Sequence, residues 1–274
     1  MVSVRKLICI LILGAVAACA APPPKVVLVA GPRSHAPGEH EYNAGCYLLQ
    51  KFLRQNGIKD VVVVTGGWPE DEHVFDGAGA IVLYMDGGSG HPALKGDRME
   101  TLGKLMKKGV GLVCLHYALE VPKDPSGEQL LDWIGGYYER PYSTNPMNEP
   151  ALTQASPKHP ISRGWKSFQL KDEWYYRIRF REGDRRVTPI LTAMLPKEAP
   201  EKQVLAWAIQ REDGGRGFGF TGLHPHQNWN IPELRTLLVN AVLWTAKWNI
   251  PEEGAKCDLA GGDLGKNLFP VANN

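Results

Sequence analysis

Four short apolar runs constrain this chain more than any other feature. They are KVVLVAG (25–31), DVVVVTGG (60–67), AGAIVLYMDGG (78–88) and VGLVCLH (110–116). A strand wetted on one face alternates apolar and polar residues. These runs do not alternate, so each is predicted to be a strand buried on both faces, as in a parallel sheet. Between them the apolar spacing changes to that of helices. NAGCYLLQKFLRQN (43–56) stops at Gly57, residues 94–108 stop at Gly109, and 127–134 is also predicted helical. Strands alternating with helices predict a mainly parallel sheet, right-handed crossovers and helices on both faces.

The second half reads differently. FQLKDEWYYRIRF (168–180), VTPILTAML (187–195), QVLAWAIQRE (203–212) and RGFGFTGLH (216–224) are predicted strands joined mainly by turns, hence an antiparallel C-terminal extension. GGRGFGF (214–220) has neither phosphate-loop nor dinucleotide spacing and reads as a tight turn entering a sterically open strand. Residues 232–248 form the clearest helix, with Pro232 near its first turn. A single α/β domain over 25–251 is expected, followed by a surface-wrapping tail at 252–274.

The N-terminal segment reads as an address. Arg5 and Lys6 precede an apolar run from Leu7 to Val16, then small residues and Cys19. That order is a secretory signal, too short to span a membrane. Val16-Ala17-Ala18-Cys19 resembles a bacterial lipobox, which implies a periplasmic or outer-membrane lipoprotein attached only through its lipid; ordinary cleavage after Ala20 is the alternative. Setting aside Arg5 and Lys6 leaves 29 basic against 29 acidic residues, so no basic surface argues for nucleic acid. Cys46, Cys114 and Cys257 cannot all pair, and no C-x-x-C occurs.

Ligands of open α/β sheets bind beyond the carboxyl ends of the strands. Six of the eight histidines fall there: His35 and His40 after the first run, His91 after the third, His116 at the end of the fourth, and His224 and His226 after 216–224. Asp86 and Glu39 share these segments. His35 and His40 are candidates for metal ligands or a general base, and His116 for a site role. His224 and His226 are two apart, so extended backbone points both one way, which suits metal ligation unless Pro225 bends the chain. Asp172 and Glu173 lie beside Trp174, Tyr175 and Tyr176, as acid/base carboxylates against a sugar would. Tyr117, Tyr175, Asn228 and Trp229 are candidates to stack on and hydrogen-bond a sugar ring. G-x-S-x-G, H-E-x-x-H and the Walker pattern are absent, and no nucleotide cofactor is expected.

VVLVAGPRSHAPGEHEY, GVGLVCLHYALEV, HPISRGW with FQLKDEWYY, and GRGFGFTGLHPHQNW with LLVNAVLWTA together resemble the ThuA-like (trehalose-utilisation) family, from about Lys25 to Pro251. The resemblance implies a flavodoxin-like fold of the class I glutamine amidotransferase-like superfamily. It implies carbohydrate use through 3-keto sugars made by partner oxidoreductases, and a divalent metal; for a histidine-rich site zinc is the expected ion. The amidotransferase elbow G-x-C-x-G is replaced by GLVCLHYA, so Cys114 is a poor nucleophile and glutaminase activity is not expected. The family's acidic pair falls on Asp172 and Glu173. Its Gly-His falls on Leu223-His224, which departs at the glycine and puts close backbone approach there in doubt.

These readings converge on an exported enzyme acting on a sugar or 3-keto-sugar by hydrolysis, elimination or isomerisation. His116, Glu173 and Asp172 are expected as acid/base groups, and His35, His40, His224 and His226 as metal ligands or oxyanion stabilisers. The rival is a non-catalytic carbohydrate-binding lipoprotein that stacks sugars on Trp229, Trp174 and Tyr175.

Overall fold

A computed structural model describes residues 23–270, so the signal and lipobox assigned to 1–19 lie outside the described residues. Strands β1 (Lys25–Ala30), β2 (Val61–Val64), β3 (Ala78–Tyr84) and β4 (Gly111–Leu115) form where the four apolar runs stand. Helices α1 (Tyr42–Gln55), α2 (Arg98–Lys107) and α3 (Glu128–Trp133) separate or follow them. Short strands β5 (Met147–Asn148), β6 (Ala151–Gln154), β7 (Phe168–Gln169) and β8 (Asp172–Glu173) come next. Long strands β9 (Val187–Leu195) and β10 (Glu201–Gln210), then β11 (Arg216–Phe220) and α4 (Pro232–Thr245), complete the fold.

The main sheet runs β2-β1-β3-β4-β11-β10-β9-β6-β7. Its first five strands are parallel, a flavodoxin-like order in which β11 takes the fifth place. From β10 onward the pairing is antiparallel. β1 shows why its run does not alternate. Val26, Leu28 and Ala30 enter the core shared with α1 and α4, while Val27 and Val29 enter the opposite core with α2 and α3. Helix α4 is buried nearly all round, and its Arg235 and Asn240 are satisfied by backbone carbonyls of Trp229, Cys257, Ile161 and Arg163. No helix among the described residues is long and apolar enough to cross a membrane.

Two expectations need correction. Residues 168–180 are not one strand. Only β7 and β8 form there, because Trp174 and Tyr176 plug one core while Tyr175 and Ile178 plug the other. β8 pairs instead with β5 as a separate ribbon, continued by bridges of Thr144 to Tyr176 and Tyr137 to Arg179. The glycines of β11 do not leave open space either. A Cβ on Gly217 would stand 2.2 Å from the Trp133 carbonyl, and one on Gly219 would stand 2.2 Å from the Trp207 ring. They are glycine so that the strand can meet its neighbours.

Trp207 cannot retreat, because its indole N–H donates to the Ile134 carbonyl at 2.7 Å. Gly219→Ala is therefore expected to destabilise the protein by about 2–3 kcal/mol, read as a lower urea midpoint at unchanged slope. An unchanged midpoint contradicts this packing.

A candidate metal centre at the strand ends

The carboxyl ends of β1, β3, β4 and β11 deliver His40, Asp86, His116 and His224 to one place, and β8 brings Glu173 over them. His40 Nε2 lies 2.8 Å from His224 Nδ1 and 3.1 Å from His116 Nε2. Glu173 Oε2 lies 3.4 Å from His116 Nε2 and 3.3 Å from His224 Nδ1. All four donor atoms fall within 4.8 Å of one another.

The hydrogen-bond network assigns the protons. His116 Nδ1 is 2.9 Å from the Thr221 carbonyl, which can only accept, so this nitrogen donates, and in the neutral ring Nε2 carries the lone pair. The Tyr42 hydroxyl donates to Asp86 Oδ1 at 2.7 Å, so it accepts from His40 Nδ1, also at 2.7 Å. His40 Nε2 is then unprotonated too. Two imidazole lone pairs therefore face each other across 3.1 Å with a carboxylate beside them. With both rings neutral that contact is repulsive, and a proton or a metal cation between the two nitrogens relieves it. Tetrahedral ligands about 2.0–2.1 Å from zinc stand roughly 3.3 Å apart; the separations of 3.1, 3.3 and 3.4 Å lie near that spacing and the 2.8 Å of His40 to His224 is shorter. Three imidazoles and one carboxylate fit a divalent transition metal.

Electrostatics favour the ligand forms of His40 and Glu173, whereas a metal would have to displace a proton from His224. Burial, with the neighbouring histidines, lowers the His40 pKa to about 3 despite the nearby Asp86 carboxylate, so the ring is neutral. Burial also pushes Glu173 upward, but the hydrogen bonds and charges of His116 and His224 outweigh it and hold the carboxyl below the usual range. For His224, burial pulls downward and is overcome by Glu173, Glu39 and Asp172, so its pKa is raised.

The backbone is shaped for this convergence. His40, His116 and Leu223 have φ of 47°, 54° and 93°, conformations costly for side-chain-bearing residues. Leu223 thus adopts a conformation that glycine takes at little steric cost. Asp172 holds it there. Its fully buried carboxylate accepts from the amides of Leu223, His224 and Glu173 at 2.8, 3.0 and 2.7 Å, and from Asn228 Nδ2 at 2.9 Å. Tyr84 adds a hydroxyl bond to the Leu223 carbonyl.

Several expected site residues fall elsewhere. His226 starts a short turn bent by Pro225; its Nε2 donates to the Leu264 carbonyl, and it is not in the cluster. Trp229 and Trp174 are fully buried core residues, so they offer no stacking face. Asn228 serves Asp172 and the Lys171 carbonyl. Asp172 and Tyr175 are buried, and Tyr175 backs the His116 ring at 4.5 Å between centroids. His91 is a satisfied core histidine, bonded to Ala118 and Ala93. Cys114 is buried with its thiol pushed upward by desolvation. His35 stacks on His40 at 3.7 Å without entering the four-donor group, and Tyr117 stands at the rim, 5.7 Å from His40. Sequence reasoning missed Tyr42 and Asn145. Asn145 donates to Glu173 Oε1 and accepts from Tyr138. The two-residue offset of Tyr42 from His40 was the one available hint.

Asp172→Asn turns an acceptor oxygen into a donor facing donors. It is expected to cost about 3 kcal/mol of stability, seen in thermal unfolding, and to weaken metal binding through His224. Wild-type stability and affinity contradict this role.

The sequence profile of the ThuA family, described as trehalose utilisation, matches residues 26–245. No curated protein sequence matches the chain. Among solved structures, a ThuA-like protein from Bacteroides uniformis ATCC 8492 superposes with TM-score 0.60 at 15% identity, over 84% of this chain and 94% of that one. Another from Parabacteroides merdae ATCC 43184 gives 0.57 at 18% identity, over 88% and 99%. A carbohydrate deacetylase, Agd3, gives 0.51 at 13% identity, over 82% of this chain and 32% of its own. These structures share the fold, and the profile covers most of the sequence: the chain belongs to the ThuA family.

Proposed function

We propose that this protein is an exported, metal-dependent enzyme of carbohydrate catabolism that acts on a sugar or 3-keto-sugar by hydrolysis, elimination or isomerisation. The convergence of His40, His116, His224 and Glu173, with two lone pairs opposed at 3.1 Å, carries the reading. These four residues hold the ion, zinc foremost. When bound, it supplies polarisation of a carbonyl or activation of water. Relative to the sequence expectation, His116 and Glu173 move from acid/base work to ligation. Asp172 acts on the backbone.

The carbohydrate assignment rests on the family's description as trehalose utilisation, and the name of the distant deacetylase agrees with it. Tyr117 at the rim is the aromatic group placed to meet a sugar, alongside the half-exposed Glu39, which approaches His224 at 3.6 Å. A 3-keto sugar arises by oxidation of a secondary alcohol, so a sugar oxidoreductase is the partner class. Export rests on Arg5, Lys6 and the apolar run ending before Cys19. A binding-only protein would need the stacking face that buried Trp174, Tyr175 and Trp229 do not offer.

With a panel of 3-keto-glycosides as substrates, chelation should abolish turnover and added zinc restore it. His116→Ala and Glu173→Gln should each lower turnover by about two orders of magnitude with circular dichroism unchanged. Full turnover in His116→Ala refutes the metal-dependent reading.

A further inference from the structure

Asp86 lies at the carboxyl end of β3, outside the four-donor group, yet it touches both sides of the site. Its Oδ1 accepts from Ser34 Oγ at 2.6 Å and from the Tyr42 hydroxyl at 2.7 Å. Each hydroxyl owns one proton, and Asp86 takes both. Each hydroxyl oxygen must then act as acceptor in its other contact. Ser34 Oγ accepts from His35 Nδ1 at 2.7 Å, and Tyr42 accepts from His40 Nδ1 at 2.7 Å. Asp86 stands 3.9 and 4.0 Å from those two nitrogens, too far for direct bonds, so the hydroxyls are the links. The same carboxylate therefore sets both rings to the Nδ1–H form and leaves both Nε2 atoms with lone pairs. His35, His40 and Asp86 also lie close enough together to suggest a second cation, but the two hydroxyls already satisfy them.

The two rings differ in what they face. His40 is 1% exposed and turns Nε2 into the donor cluster. His35 has a 31% exposed side chain, stacks on His40, and meets Tyr117 and His224 edge-on at 6.0 and 5.9 Å. A partly exposed imidazole with a free lone pair, held against the four-donor cluster, has the attributes of a general base.

We propose that Asp86 is a positioning residue acting through two hydroxyl relays, Tyr42 to the metal ligand His40 and Ser34 to the proton-transferring base His35. The proposal rests on the metal-dependent reading above. On a 3-keto-sugar, His35 Nε2 takes the proton from the carbon beside the keto group. The C–H electron pair becomes the enolate double bond, and the carbonyl π pair moves to oxygen. His35 becomes an imidazolium whose Nδ1–H stays on Ser34, with the Asp86 carboxylate behind it.

The relays are tested without substrate. In the metal-free protein, side-chain nitrogen NMR should show the Nδ1–H form for both His35 and His40. Ser34→Ala should release only His35, and Tyr42→Phe only His40. Zinc titration should give His35→Ala and Ser34→Ala the wild-type affinity, and Tyr42→Phe an affinity lower by about 10–100-fold. An Nε2–H form at either ring, or loss of zinc binding in His35→Ala, overturns the proposal. In deuterated water with methyl 3-keto-glucoside, His35→Ala should incorporate deuterium about 100-fold more slowly than wild type. Equal rates overturn His35 as the base. No exchange by wild type, with tautomers and affinities as stated, overturns the keto-sugar reading and supports the relays.

Discussion

Two imidazole nitrogens face each other across 3.1 Å, while the other nitrogens of both rings donate to Thr221 and Tyr42. Much of the surrounding structure exists to hold that unfavourable contact. His40, His116 and Leu223 accept left-handed backbone conformations, each costing of order 1–3 kcal/mol. Such strain persists only where the surroundings over-determine it. Here the surroundings are four parallel strand ends and the buried carboxylate of Asp172, which binds three backbone amides. A divalent ion held there would turn the repulsion into four favourable bonds.

The C-terminal segment extends this support. Arg33 donates to the Pro270 carbonyl, and Glu41 accepts from the Phe269 amide at 2.7 Å and from the Gly38 amide at 2.9 Å. These contacts flank the 33–41 loop that carries His35 and His40. His226 clamps the next loop to Leu264. At the opposite end of the sheet, buried Arg211 donates to carbonyls of Met106, Val110, Trp133 and Arg216. Arg211 also pairs with Asp213 at 3.1 Å, so its buried charge is balanced at the amino end of the sheet, while the titratable cluster gathers at the carboxyl end.

The parallel sheet was legible because burial on both faces removes alternation in β1, β3 and β4, and helices with clear stops follow β1 and β3; β2, at the sheet edge, is only partly buried. The pooling of histidines followed from the same strand ends, which is why His40, His116 and His224 could be picked out. Roles were harder to read. His226 shares an offset with His224, but Pro225 and the following turn send it to Leu264. Trp229 resembles a sugar platform in sequence and is a core residue in space. Glu173 was visible as a carboxylate beside aromatics, yet its position over the site depends on a ribbon with Met147–Asn148 that two-residue strands cannot announce. The Asp86 relays were illegible, because Ser34, Tyr42 and Asp86 meet only after β1 and β3 are side by side.

X-ray absorption at the metal edge of the purified protein tests the centre most directly. The predicted result is a nitrogen/oxygen shell at about 2.0–2.1 Å with outer scattering from three imidazoles, lost in His116→Ala. A protein that takes up no divalent metal, or holds one without imidazole scattering, contradicts the assignment of His40, His116, His224 and Glu173 as its ligands.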